Sequence, residues 1–234
     1  MFEAAASGLP PLDLPRIVLA IGSLGTAAYG VVDVSKAFGG GISNRGFGDI
    51  KKVISQFIPV ATGQNTASAL SLASVLSTLR SNWLNGMALA DQKSVAKALI
   101  KLNLNDASAS KMAAATGVDE KVLSSIAAKL PTGTKLEQTE TDAYGRFDLL
   151  LSASLDQGYQ RADQRYRNSA KLLAVPVAVL LALLGAWAIS NHLTNSDILR
   201  AIAGGLLATP LAPIAKDLSS AIQTGTKLAQ AWKK

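Results

Sequence analysis

The sequence predicts an all-α integral membrane protein with about three transmembrane helices and a helical cytoplasmic domain inserted between the first and second. Two observations carry this. Hydrophobic residues make up 49% of the chain and aromatics only 5%. The apolar surface is therefore built from Ala and Leu, which lead the helix-propensity ranking, and not from the β-branched and aromatic residues that strands favour. Charged residues make up 17%, below the roughly 25% of soluble domains, and the mean hydropathy is +0.26. Part of the chain is built for a medium other than water.

The first apolar stretch, Ile17 to Val32, is uncharged and lies between Arg16 and the pair Asp33 and Lys36. It spans a bilayer if Leu14 and Pro15 extend it and Arg16 snorkels to the interface. It lacks a basic leader and a small-residue cleavage site, so it reads as an anchor and not as a secretory signal. Phe38 to Gly48 reads as a glycine-rich linker. Its Gly39-Gly40-Gly41 run lacks the Lys-Ser/Thr ending of a phosphate-binding loop. In Asp49 to Ile58, residues Ile50, Val53, Ile54, Phe57 and Ile58 recur every three or four positions against Lys51, Lys52 and Gln56. This predicts an amphipathic helix closed by Pro59, either docked on the domain core or lying on an anionic leaflet.

From Thr66 to Leu130 the period stays helical. Leu70, Ala73, Leu76 and Trp83 trace one stripe, with Leu72 and Leu79 beside it. Val95, Ala96, Leu99, Ile100 and Leu102 trace another, and turns fall at Asn85-Gly86 and Asn103 to Asp106. Ser110 to Ile126 has the spacing of a helix-turn-helix, with Ala113, Gly117, Val118, Leu123 and Ile126 inward. Its second helix opens on Asp119 and Glu120 where DNA would lie, which favours a plain helical hairpin over base recognition.

Thr141 to Asn168 carries the clearest amphipathic pattern. Phe147, Leu151, Leu155, Gly158 or Tyr159, Ala162 and Tyr166 share one face, and Asp148, Asp156, Arg161, Asp163 and Arg165 lie elsewhere. With no proline before Pro176, the pattern predicts one helix from about Ala143 to Ile189. Its polar half would be a stalk whose apolar face, with Gln157, Gln160 and Gln164, meets a partner or a second copy. The helix ends in Leu172 to Ile189, eighteen residues without a charge, long enough to approach the roughly 30 Å of a hydrocarbon core. Arg161, Arg165, Arg167 and Lys171 before it, and Trp187 near its end, read as membrane-interface residues. A third stretch, Ala201 to Ala215, lies between Arg200 and Lys216. Pro210 and Pro213 interrupt it, which predicts a kinked or half-inserted helix. Ala178, Ala182 and Ala186, and Gly204 with Ala208 or Gly205 with Thr209, are small residues at helix-packing intervals.

The expected organisation is an N-terminal segment and first membrane helix at 1–33, a helical domain at 34–140, a stalk at 141–170, a membrane hairpin at 171–222 and a basic tail at 223–234. Ser190 to Asp197 has no Lys or Arg and is expected outside. The segment before Leu172 and the tail with Lys216, Lys227, Lys233 and Lys234 are expected in the cytoplasm, leaving the N-terminus outside. The net charge is +7, but its lysines are dispersed singly among acids, which argues against nucleic acid. The expected partners are membrane lipids and a homo-oligomer or membrane protein complex.

The string GRFDLLLSASLDQGYQRADQRYR, followed by an apolar span, then NSD, then a second span ending in APIAKDLSS, resembles an uncharacterised bacterial integral membrane protein family. In that family an acidic-aromatic helix precedes a C-terminal membrane hairpin. The resemblance covers residues 145–222. It implies a hairpin in the bacterial inner membrane and adds no chemistry.

With no Cys and a single His, His192, thiolate metal sites, disulfides, cysteine nucleophiles and multi-histidine metal sites are excluded within one chain. Asp142 and Asp148 are carboxylates without an evident partner, so no enzyme, cofactor or metal is expected. The leading functional expectation is a non-catalytic membrane subunit or scaffold. An oligomeric pore, for which Arg200 and the two prolines are the pointers, is the alternative, and a helix-turn-helix DNA-binding protein is the second alternative.

Overall fold

A chain rich in Ala and Leu, punctuated by well-formed caps, folds into helices joined by short turns. The computed structural model describes residues 13–59, 70–190 and 192–231. Its helices are α1 (Leu14–Val34), α2 (Ser43–Phe57), α3 (Leu72–Leu84), α4 (Leu89–Leu102), α5 (Asp106–Thr116), α6 (Glu120–Lys129), α7 (Gln138–Ser190) and α8 (Asn195–Ala231), with one 3-10 turn at Ser35–Ala37. No strand occurs among the described residues. The chain divides into two compact units, Lys36–Asn168 and Met1–Ser35 with Ser169–Lys234. Part of the helix expected from Thr66, and Lys233 and Lys234 of the expected tail, lie outside the described residues. The rest of that tail, as far as Ala231, continues α8.

The spine of the Lys36–Asn168 unit is the first part of α7. Phe147, Leu151, Leu155, Tyr159 and Ala162 repeat every three or four residues, and each is at most 1% exposed. This ridge was expected to meet a partner. Instead it belongs to one core cluster with Ile50, Ile54 and Phe57 of α2 and the apolar faces of α3 to α6. The chain covers its own ridge, because the five short helices α2 to α6 supply more apolar surface than they can hide among themselves. The same packing decides the placement of α2, whose apolar face lies in the core with Lys51 and Lys52 exposed.

α2 also starts at Ser43, inside the stretch expected to be linker. Gly46 explains why a glycine-rich sequence is helical there. A Cβ on it would sit 2.6 Å from the Ala162 carbonyl oxygen and 2.8 Å from the Trp83 ring, so the glycine lets α2 lie directly on α7.

Both expected stripes face the core, each with one exposed member. In α3 the buried line is Val75, Leu79 and Trp83, while Ala73 is exposed. Trp83 donates its indole N–H to the Ser43 carbonyl at 3.0 Å. In α4 the buried residues are Gln92, Ala96 and Ile100, while Leu102 is exposed. Lys93 pairs with Asp156, and Lys97 and Lys101 reach the two oxygens of Asp148 at 2.6 and 2.7 Å. Burial alone would raise the Asp148 pKa, but the bonds from Lys101 and Lys97 outweigh it and hold the carboxyl below its usual range. Lysines that read as dispersed surface charge thus fasten α4 to α7.

α5 and α6 form the expected hairpin, with Met112, Ala113, Val118, Leu123 and Ile126 inward. Asn105 and Ser108 cap the start of α5 reciprocally, and Gly117 closes it at φ 68°, in the left-handed region that glycine occupies without strain. α6 is tied to the start of α7 by Glu140, 6% exposed, which accepts from Lys129 Nζ and Ser125 Oγ at 2.6 Å each and from the Glu137 N–H at 2.8 Å. These three donors, Lys129 first, lower its pKa to about 2.

Leu151→Ala is expected to destabilise the Lys36–Asn168 unit by about 2–5 kcal/mol. Leu149→Ala, at a position 71% exposed, is expected to change little, both read by chemical denaturation of the solubilised protein. Glu140 gives a pH dependence. Its folded pKa is below the ordinary 4.5, so its contribution is complete above that value and is lost as the pH falls through about 2. The thermal midpoint is expected to drop over that window, and Glu140→Gln is expected to lower it at pH 7 and flatten the drop.

Candidate functional site

The features that set this chain apart from an ordinary helical domain lie in α1, the end of α7 and α8. These three helices are each long and apolar enough to cross a membrane. The apolar window of α7 is only 11% buried within the structure, and Leu172, Leu180, Leu184 and Ile189 stand 59–87% exposed. A helix that is apolar all round and uncovered by its own chain is soluble in hydrocarbon and not in water.

The helices touch where side chains vanish. In α1 the face Gly22, Gly25, Ala28 and Val32 is buried. A Cβ on Gly22 would meet the Ala215 Cβ at 2.1 Å, and one on Gly25 would meet the Ala208 carbonyl oxygen at 2.1 Å and the Ala212 Cβ at 3.1 Å. As α1 advances from 22 to 25, its neighbours on α8 retreat from 215 to 208, so the two helices are antiparallel. α7 and α8 form an antiparallel hairpin across the short turn after Ser190, with Gly205 set against the backbone of Val179 at 2.5 Å from its would-be Cβ. Such approaches bring backbone against backbone, where many small dispersion contacts add up.

The expected helix-packing residues divide accordingly. Ala178 and Ala208 are fully buried, Ala182 and Ala186 are half-buried, and nothing lies within 4 Å of a Cβ on Gly204. The close contact falls on Gly205 instead. Gly22, Gly25, Ala212 and Ala215 were missed, although their spacing of three and four was the available signal. Pro210 and Pro213 lie within a continuous α8, not at a break.

Of the expected interface residues, Arg161 and Lys171 are exposed and Trp187 is 57% exposed. Arg165 meets Asp49 at 3.1 Å and Arg167 meets Asp163 at 2.8 Å, both through Nε. Gln157, Gln160 and Gln164 are exposed. Asp148 is engaged by two lysines as described, and Asp142 accepts from Gln138 at 2.9 Å.

Among the described residues no cluster of His, Asp and Glu has the grouping to hold a metal ion. Comparison of the chain with protein-family models, curated proteins and solved structures gives no match.

Gly25→Leu and Gly205→Leu are expected to destabilise this helix packing by about 1–3 kcal/mol or more, since a backbone and not a flexible side-chain tip stands in the way. Gly204→Leu is expected to leave the packing within one chain unchanged. The thermal midpoint of the detergent-solubilised protein measures all three.

Proposed function

We propose that this chain is a non-catalytic integral membrane subunit or scaffold, anchored by the α7–α8 hairpin in a bacterial inner membrane. It would assemble with a second copy or a larger membrane complex. The observation that carries this reading is the uncovered apolar window of α7 between a cluster of Arg and Lys and an interfacial Trp. Lipid satisfies that surface, and the basic cluster sets its side. The likeness of residues 145–222 to a bacterial membrane hairpin supports the same anchor. The connector after Ser190 lacks Lys and Arg and faces outward, while the segment before Leu172 and the C-terminal tail face the cytoplasm.

α1 joins this anchor through α8. Because the two are antiparallel, the start of α1 accompanies the C-terminal half of α8, and the N-terminus shares the cytoplasmic side. Gly204, open to its surroundings, and the half-buried Ala182 and Ala186 offer small-residue faces to an assembling partner.

The absence of Cys makes the test direct. Carbonate washing of membranes is expected to leave the protein in the pellet. In single-cysteine variants, an impermeant maleimide added to intact cells is expected to label Thr194→Cys. It should reach Asp13→Cys and Phe38→Cys only after the cells are opened. Labelling of Asp13→Cys from outside would restore three full spans, and release by carbonate would remove the membrane reading altogether. Flux of an ion or solute through reconstituted protein would replace the subunit with the alternative of a pore.

A further inference from the structure

A cavity of about 270 Å³, lying wholly within the Lys36–Asn168 unit, has the chemistry of a ligand site. Its floor is the N-terminus of α4. The first amides of any α-helix lack intrahelical acceptors, and the residue before α4, Ala88, offers no side chain to cap them. The dipole and these N–H groups favour an anion. Lys36 and Arg167 line the same cavity, Lys36 with its Nζ 4.9 Å from the centre of the Tyr166 ring and Arg167 paired with Asp163. Trp83 and Tyr166, edge to face at 6.2 Å, form an aromatic wall.

A second observation is independent of the helix end. Gln92, also lining the cavity, is 2% exposed. Its Nε2 donates to the Met87 carbonyl at 2.6 Å, but its Oε1 is buried with no hydrogen-bond partner. A buried acceptor left unmet is costly unless a donor arrives. The cavity therefore presents two demands: an anion at the helix end and the two cations, and an N–H or O–H group for Gln92.

We propose that this cavity binds a small phosphate ester that also carries a hydrogen-bond donor, of the phosphoethanolamine or glycerol phosphate type. The phosphate sits at the α4 amides between Lys36 and Arg167, and the ammonium or hydroxyl group meets Gln92 Oε1, with Asp163 nearby favouring an ammonium. The same chemistry occurs in a free ester and in a phospholipid headgroup. Because the site needs only residues 36–168, its failure would leave the membrane reading standing, and the reverse also holds.

The test is titration of the full-length protein, in detergent freed of phospholipid, with phosphoethanolamine, phosphocholine and short-chain diacyl lipids bearing the same two headgroups. Phosphoethanolamine chemistry is expected to bind saturably and at least about tenfold more tightly than phosphocholine chemistry, whose trimethylated nitrogen has no proton to donate. Gln92→Leu is expected to erase that preference. Arg167→Gln, at a position exposed enough to leave folding intact, is expected to weaken binding about tenfold. Binding of the soluble ester at the strength of the lipid supports a free ligand, and binding of the lipid alone supports a headgroup. No saturable binding of either, equal binding of both headgroups, or unchanged affinity in Arg167→Gln would overturn the proposal.

Discussion

α7 carries two kinds of apolar surface. Its first half carries a ridge, Phe147, Leu151, Leu155, Tyr159 and Ala162, that is hidden in a protein core, and its second half is apolar on every side and left bare. The ridge is the larger constraint. Because it recurs at a fixed helical spacing, each of the short helices α2 to α6 must bring its own stripe to it, and their rotations follow from that docking. α2 lies directly on α7 through Gly46. α4 is held by three lysines one turn apart that meet Asp148 and Asp156, and α6 by Lys129 and Ser125 on Glu140.

These ion pairs contribute to specificity more than to net stability. Partly exposed pairs contribute about 0–1 kcal/mol each, small against the burial of the ridge. In α4 the row Lys93, Lys97 and Lys101 meets Asp156 and Asp148 beside the buried Ile100, while Leu102, nearly opposite Ile100 on the helix, stays exposed.

In α1, the end of α7 and α8, each long and apolar enough to cross a membrane, the contacts depend on how closely backbones approach. Gly22, Gly25 and Gly205 permit that approach, and Ala208, Ala212 and Ala215 receive it. The low aromatic content of the chain fits this arrangement, since bulky rings would hold the helices apart.

Sequence alone determined the helical class, the three apolar helices, the α5–α6 hairpin and the continuity of α7, because each depends on local propensity, periodicity or the absence of a breaker. Tertiary structure decided which surfaces those helices share. Hydrophobic period gives a face but not its partner, so the ridge of α7 read as an offer to another molecule until α2 to α6 were seen to fill it. The stripes of α3 and α4 face the core except at Ala73 and Leu102, and Trp83 and the lysine row bond to residues distant in sequence, which hydrophobic period does not reveal. The choice of Gly205 over Gly204, and the antiparallel sense of α1 against α8, rest on which backbone stands opposite. That is a property of two helices together, and neither sequence carries it by itself.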